Sequence, residues 1–234
     1  MMGVNDPNRL ILSRVARALG DLRESLVFVG GCSAGVLVTT IRAQTIRPTD
    51  DVDMVVQATT AREYHMVEAL LSERGFKHDM SADAPICRWR YEGIAVDLMP
   101  SEKSVLGFAN RWYPLAISSA QWVKLEDDLA IRLIAAPVFI ATKFEAFLDR
   151  GKGDFLMSHD LEDIITVVDG RVSLIEEVKQ APNDLREALA LNFKKLLAEN
   201  DFLDALSGHL PGDVASQARL TGLIKKLREL AVIA

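Results

Sequence analysis

The sequence is poor in cysteine, and its cysteines follow no pattern typical of metal binding or cross-linking. Its 234 residues contain two, Cys32 and Cys87, and neither lies in a Cys-x-x-Cys motif or at a zinc-ligand spacing from a histidine. Small domains that depend on disulfides need several pairs of cysteines. We therefore expect both thiols to be reduced side chains that pack in the interior.

Long apolar runs are missing as well. No stretch reaches the roughly 20 uncharged residues that a membrane-spanning helix needs, and the first residues lack the basic and then apolar pattern of a signal peptide. With 49% hydrophobic residues, the chain can nevertheless bury a substantial core. These features predict a cytoplasmic protein without a membrane partner.

The chain also lacks an excess of positive charge. Its net charge of −6 argues against a protein whose whole surface binds nucleic acid, because such surfaces are usually basic. The candidates for a local basic patch are Arg42 with Arg47, the segment 143–152, and the segment 225–228. The last of these is better explained as the solvated face of a helix.

Neither internal repeats nor low-complexity tracts are visible, but the hydrophobic pattern changes along the chain. Short β-branched runs alternate with helical periodicity over residues 1–135, and from residue 136 the apolar residues recur at helical spacing alone. This pattern predicts a mixed α/β fold, with a small mixed sheet flanked by helices and an all-helical C-terminal lobe. We expect an α/β core at 1–135 and a helical domain at 136–234.

Local signals predict several individual elements. Thr60-x-x-Glu63 matches a capping box at the start of a helix. A second helix is expected from about Ser33 to Arg42, and a strand near 115–123. Glu92-Gly93 is typical of a hairpin turn between two short strands.

Three aspartates lie on two predicted strands. Asp51 and Asp53 alternate at the start of a β-branched strand, so their side chains share one face with Cα atoms roughly 6.5 Å apart. Asp97 interrupts the apolar strand 94–98. If the strands are neighbours the three carboxylates converge, and two like charges about 4 Å apart repel by about 4 kcal/mol at a dielectric near 20. A divalent cation, Mg²⁺ or Mn²⁺, removes that cost and indicates chemistry on phosphates.

A pair of glycines supplies the complementary signal. The apolar run Leu26–Val29 ends at Gly30-Gly31 before a predicted helix, which allows backbone N–H groups to approach a phosphate. Ser33 adds a hydroxyl donor. Most Gly-Gly pairs only form a turn, and many acids at strand ends are merely solvated. The phosphate-binding interpretation therefore depends on the occurrence of the glycine pair and the three acids in the same chain.

The segment from Gly30 to Val56 resembles the signature of the nucleotidyltransferase superfamily in the form used by the AbiEii/AbiGii toxin family. That signature has a Gly-Gly turn, a helix, and then Arg-x-Thr-x-Asp-hydrophobic-Asp, which falls on Arg47, Thr49, Asp51 and Asp53. Downstream, Lys143, Arg150 and the cluster 159–163 resemble the family's Lys-containing helix and acidic segment.

The resemblance implies a nucleotidyltransferase fold and a metal-dependent enzyme that moves an NMP from an NTP to an acceptor hydroxyl, with release of pyrophosphate. It implies that Asp51 and Asp53 bind the metal and that Asp97 completes the site or acts as a base. The nucleotide-binding residues implied by it are Gly30, Gly31, Ser33, Arg47, Thr49, Lys143 and Asp160.

The acceptor stays open at this point between RNA such as a tRNA end, a protein side chain and a small molecule. The family also implies a small antitoxin protein as a partner. One alternative is a small-molecule enzyme resembling the aminoglycoside- or lincosamide-modifying nucleotidyltransferases, and the acidic net charge favours such a cationic acceptor. The other alternative is a nucleotide-binding module that has lost turnover.

Some of these residues also have plainer interpretations. Asp50 is expected to be a turn residue and His159 a capping or surface residue. Lys143 and Lys152 are equally compatible with solvated helix positions, and Asp97 with an edge-strand acid that faces water. Cys32 and His159 depart from the residues usual in the family.

Overall fold

The computed structural model describes residues 6–40, 46–151 and 153–233. These residues divide into two compact units. The sheet unit comprises residues 7–33 and 48–135, and the helical unit comprises the other described residues, of which most lie beyond residue 135. The predicted division into domains at 1–135 and 136–234 stays a prediction.

Within the described residues, the sheet unit contains one seven-stranded mixed sheet in the order β3-β4-β5-β2-β1-β7-β6. Two pairs of neighbours are parallel, β2 with β5 and β1 with β7, and the others are antiparallel. This confirms the predicted α/β class with a mixed sheet. The strands are β1 (Leu26–Val29), β2 (Asp51–Val56), β3 (Lys77–His78), β4 (Arg88–Tyr91), β5 (Ile94–Pro100), β6 (Gln121–Glu126) and β7 (Leu129–Leu133).

The centre of the sheet is apolar on both faces. All four residues of β1 are buried, and in β2 the buried positions are Val52 and the run from Met54 to Val56. A strand covered on both sides has no polar face, so it appears in the sequence as a continuous apolar run. The acidic start of β2 is the exception, and it lies where the buried pattern is interrupted.

Helices account for the rest of the regular structure. The sheet unit contains α1 (Arg9–Leu19), α3 (Ala61–Glu73), α4 (Lys103–Leu106) and α5 (Tyr113–Ser118), and the helical unit contains α2 (Ala34–Leu37), α6 (Ala136–Arg150), α7 (His159–Gly170), α8 (Leu174–Lys179), α9 (Asn183–Ala198), α10 (Asn200–Ala205), α11 (Val214–Gln217) and α12 (Leu220–Leu230). The described residues from 136 onward contain no strand, as the sequence predicts. No helix in the described part of the chain combines the length and the apolarity that crossing a membrane requires.

Two local predictions are corrected by the structure. The helix expected from Ser33 to Arg42 is a 3₁₀ turn at Gly31–Ser33 followed by the single turn of α2, and Arg42 lies outside the described residues. The strand expected near 115–123 is helix α5 in its first part, because Pro114 in the first turn presets a helical φ.

We predict that the Thr60 cap of α3 contributes about 1 kcal/mol to stability. The Thr60 hydroxyl accepts from the Glu63 backbone N–H at 3.2 Å, and the Glu63 carboxylate accepts from the Thr60 N–H at 3.2 Å. Thr60→Ala leaves an N–H of the first turn without its side-chain partner, which typically costs about 1 kcal/mol. Urea denaturation measures the loss; Thr60→Ser keeps the hydroxyl and should match wild type.

Candidate metal centre

The register of the sheet brings the three predicted acids together. Strands β2 and β5 run parallel, and Asp53 lies directly opposite Asp97. Asp51 precedes Asp53 by two residues and therefore faces the same side of the sheet. One carboxylate oxygen from each residue lies within 4.8 Å of the others. Asp97 is 8% exposed, whereas Asp51 and Asp53 are half-buried.

This donor set fits a hard divalent cation. It consists of carboxylate oxygens alone, which are the ligands that Mg²⁺ and Mn²⁺ prefer. The half-buried Asp51 and Asp53 leave one side of the cluster open to solvent, and Mg²⁺ usually keeps several water ligands. The residues present therefore suit the predicted cofactor.

Hydrogen bonds orient the first of these acids. The Thr49 hydroxyl donates to Asp51 Oδ1 at 2.5 Å, and the Thr49 backbone N–H donates to Asn8 Oδ1 at 2.9 Å. Asn8 is 1% exposed. In the Arg-x-Thr-x-Asp pattern, the threonine is therefore the residue that orients the Asp51 carboxylate. Its predicted contact with a nucleotide stays a prediction.

Arg88 is a further member of this cluster and was not among the predicted site residues. Its Nε and Nη2 donate to the two carboxylate oxygens of Asp97, each at 2.7 Å, and Nη2 lies 3.6 Å from Asp51 Oδ2. The hydrogen bonds to Asp97 raise the pKa of Arg88 although burial opposes the shift. A signal was present: a two-residue turn at Glu92-Gly93 pairs residue 88 with residue 97, which is the observed register.

Gly30 makes the approach of the first turn to this cluster possible. It has a φ of 67°, which favours glycine, and a Cβ at this position would overlap the Asp53 carboxylate. The Ser33 backbone N–H donates to Gly30 O at 3.1 Å, and the buried Ser33 hydroxyl donates to Val29 O at 2.7 Å. Ser33 therefore fixes the turn after β1. The predicted phosphate contacts of Gly30, Gly31 and Ser33 stay predictions.

Both cysteines are free and buried, as expected. Burial, assisted by the charge of Asp53, raises the pKa of Cys32. Burial, assisted by Asp97, raises the pKa of Cys87 to about 12. These thiols stay protonated at neutral pH, which suits packing residues.

The remaining predicted residues form a second ionic cluster, within the helical unit. Lys143 on α6 is 7% exposed, and its Nζ lies 3.0 Å from Asp160 Oδ1 and 2.7 Å from Asp163 Oδ2. Arg150 donates to both oxygens of Asp160, at 2.8 and 2.9 Å. Arg47 Nη2 lies 3.5 Å from Asp163 Oδ2. Burial would raise the pKa of Asp160, but Arg150 and Lys143 lower it.

The sequence also allows plainer roles for His159 and Lys152. His159 is exposed at the start of α7, and Ser158 rather than His159 accepts from the Leu161 N–H as the cap. Lys152 lies outside the described residues. The predicted nucleotide contacts of Arg47, Lys143 and Asp160 stay predictions.

Comparison with known proteins identifies the fold and no family. No protein-family model matches the chain, and no curated protein sequence matches it. The resemblance to the AbiEii/AbiGii toxin family therefore stays a prediction.

Solved structures do resemble this one. An antigenic nucleotidyltransferase-like protein from Paracoccidioides brasiliensis is 19% identical with a TM-score of 0.51, and the match covers 88% of this chain and 94% of that chain. The antibiotic-resistance factor ANT(2'')-Ia is 13% identical with a TM-score of 0.48, over 81% of this chain and 93% of that chain. At this identity, the likeness to the first protein establishes the fold alone, which is the predicted nucleotidyltransferase fold.

We predict that Gly30→Ala is markedly more destabilising than a glycine replacement with the same backbone strain. An alanine at positive φ costs about 1–2 kcal/mol, and at position 30 the new methyl group also overlaps the Asp53 carboxylate. We expect a loss of about 2–4 kcal/mol in the free energy of unfolding.

Gly93→Ala is the matched control. Gly93 has a φ of 85°, but a Cβ there would meet nothing within 4 Å. It should lose only the backbone cost of about 1–2 kcal/mol. Equal losses in the two variants, measured by urea denaturation, would show that Asp53 does not restrict position 30.

We predict that Asp160→Asn destabilises the protein by about 3 kcal/mol at pH 7, because it leaves the buried Lys143 with one partner fewer. A carboxylate with a lowered pKa stabilises the fold above its unfolded pKa, and this contribution disappears as the pH falls through the folded pKa. The difference from wild type should therefore be constant near neutral pH and shrink below the ordinary value of 3.8.

Denaturation curves between pH 7 and pH 3 measure this difference. Asp149→Asn, an exposed change on the same helix α6 as Lys143, is the control and should have little effect at either pH. A difference for Asp160→Asn that does not shrink on acidification would contradict the prediction.

Proposed function

We propose that this protein is a metal-dependent nucleotidyltransferase that moves an NMP from an NTP to an acceptor hydroxyl and releases pyrophosphate. The observation that carries the proposal is the convergence of Asp51, Asp53 and Asp97, whose carboxylate oxygens lie within 4.8 Å of one another. The nucleotidyltransferase fold and the glycine turn beside Asp53 support it.

Asp51 and Asp53 are the proposed ligands of Mg²⁺ or Mn²⁺, with Asp97 as the third ligand or as the base that accepts the proton of the attacking hydroxyl. A bound divalent cation supplies positive charge that stabilises the attacking and leaving oxygens of an in-line displacement. Thr49 fixes the orientation of the Asp51 carboxylate, since its hydroxyl donates to Oδ1 at 2.5 Å.

The glycine turn is the proposed phosphate-binding element. Because Gly30 has no side chain, the backbone after β1 lies against the Asp53 carboxylate without steric overlap. A phosphate bound by the N–H groups of this turn would lie next to the metal ligands. Ser33 keeps the turn in shape through its hydrogen bond to Val29 O.

Arg47, Lys143 and Asp160 belong to the same proposal as nucleotide contacts, and their support comes from the sequence resemblance. Their pairing supports a second role. Lys143 on α6 binds Asp160 and Asp163 on α7, and so holds these two helices together. Removal of Lys143 should therefore affect stability as well as any binding of a triphosphate.

The proposed acceptor is a hydroxyl group of a tRNA or another macromolecule, and a small antitoxin protein is the proposed partner. Both follow from the sequence resemblance. The net charge of −6 favours a small cationic acceptor instead. Incubation with each α-labelled NTP, Mg²⁺, and tRNA, bulk protein or an aminoglycoside separates these classes by where the label appears.

We predict that the double variant Asp51→Asn with Asp53→Asn loses at least 100-fold of label incorporation and remains folded. Amides keep the shape of the carboxylates but not the charge that binds a cation. Chelation of the metal by EDTA should abolish incorporation by wild type. Circular dichroism and thermal unfolding verify that the variant retains its fold.

Asp50→Asn is the control for this experiment, because Asp50 is an exposed acid next to the same strand. It should keep wild-type incorporation. Unchanged activity in the double variant would refute the mechanism. Absence of label with wild type in every acceptor class would favour the module that binds nucleotide without turnover.

A further inference from the structure

Arg88 holds the carboxylate that a metal ion at this centre would need. It engages both oxygens of Asp97 at 2.7 Å and lies 3.6 Å from Asp51 Oδ2. A planar guanidinium that binds both oxygens of a carboxylate forms one of the strongest pairs available to a protein. In this conformation, Asp97 has both oxygens in hydrogen bonds with Arg88.

The strand register makes this pairing a feature of the fold. Arg88 on β4 lies directly opposite Asp97 on β5, which in turn lies opposite Asp53 on β2. The Arg88 side chain is 25% exposed and that of Asp97 is 11% exposed. A pair with this little solvent contact is weakly screened by salt.

The charges of the cluster show what the pairing accomplishes. Three ionised carboxylates within 4.8 Å repel one another, and the single positive charge of Arg88 reduces that repulsion without removing it. At their ordinary charges, three carboxylates and one guanidinium sum to about minus two. They therefore still attract a divalent cation, although Asp97 is already engaged.

We infer that Arg88 acts as an internal counter-cation, which competes with the divalent cation for Asp97. Without a bound cation it pairs with Asp97 and lies beside Asp51, which reduces the repulsion among the acids. A cation that binds Asp97 then has to share oxygens that already accept from the guanidinium, or displace it. This inference rests on the metal site of the proposed function. It predicts that the native protein binds the metal more weakly than the acids alone would allow.

The test measures Mn²⁺ binding without nucleotide, by electron paramagnetic resonance of the free ion and by calorimetry. Arg88→Met removes the competing charge and should bind Mn²⁺ at least about tenfold more tightly than wild type. Its melting temperature should also rise more on transfer from EDTA to Mn²⁺ than that of wild type, because the metal-free acids repel and the loaded acids do not.

Arg90→Met is the matched control. Arg90 lies on the same strand β4 and pairs with Asp79 at 2.8 Å, so its removal deletes the same charge two residues away. Its Mn²⁺ affinity should stay within about twofold of wild type, since Arg90 engages Asp79 and its own side chain is 49% exposed, so solvent screens its charge. An equal gain in both variants would overturn the inference, because the effect would then be general electrostatics.

Arg88→Lys covers the case in which Arg88→Met fails to fold. It keeps the charge but cannot bind both oxygens in the same fork, so its Mn²⁺ affinity should lie above that of wild type. Affinity equal to or weaker than wild type in the folded Arg88 variants overturns the inference, and so does absence of Mn²⁺ binding in all of them. Tighter binding without any label incorporation supports the inference and rejects the proposed reaction.

Discussion

The mutual repulsion of three carboxylates, two at the start of β2 and one on β5, is the constraint on which the site depends. Asp51 and Asp53 face the same side of one strand, and the parallel neighbour places Asp97 opposite Asp53. Acids at this distance are unfavourable without positive charge. Arg88 supplies part of that charge and the Thr49 hydroxyl donates a hydrogen bond to Asp51, so both residues make the close approach of the acids tolerable.

The same constraint explains the conformation of the turn after β1. Val29 pairs with Asp53 across the antiparallel strands, so the next residue lies against that carboxylate. Only a residue without a Cβ fits there, and Gly30 has in addition the positive φ that the turn needs. The pairing of β1 with β2 therefore brings the Gly-Gly pair into contact with the acidic pair. For this reason their joint occurrence in the sequence is informative.

The sequence predicted those features of the site that local periodicity determines. Alternation placed Asp51 and Asp53 on one face, and the apolar surroundings of Asp97 marked it as exceptional. The pairing of β2 with β5 joins segments that are far apart in the sequence, and no local pattern encodes it. The convergence of the three carboxylates could therefore be predicted only on the assumption that these two strands are neighbours. Arg88 was not predicted because its proximity to Asp97 depends on the register of the hairpin at Glu92-Gly93 and on no local pattern around residue 88. Helix α5 was missed because an apolar run of this length is compatible with helix and strand.

A comparison of the two ionic clusters indicates where a ligand is needed. In the helical unit, three acids, Asp160, Asp163 and Glu162, face three cations, Lys143, Arg150 and Arg47. The ordinary charges of these six side chains balance, so the cluster has little electrostatic reason to take up a further cation. In the sheet unit, Arg88 pairs with Asp97 and lies beside Asp51, and Asp53 adds a third carboxylate, so one guanidinium does not match three acids. A divalent cation can neutralise the remaining negative charge. The unequal balance, more than the presence of acids, makes the sheet cluster the candidate metal centre.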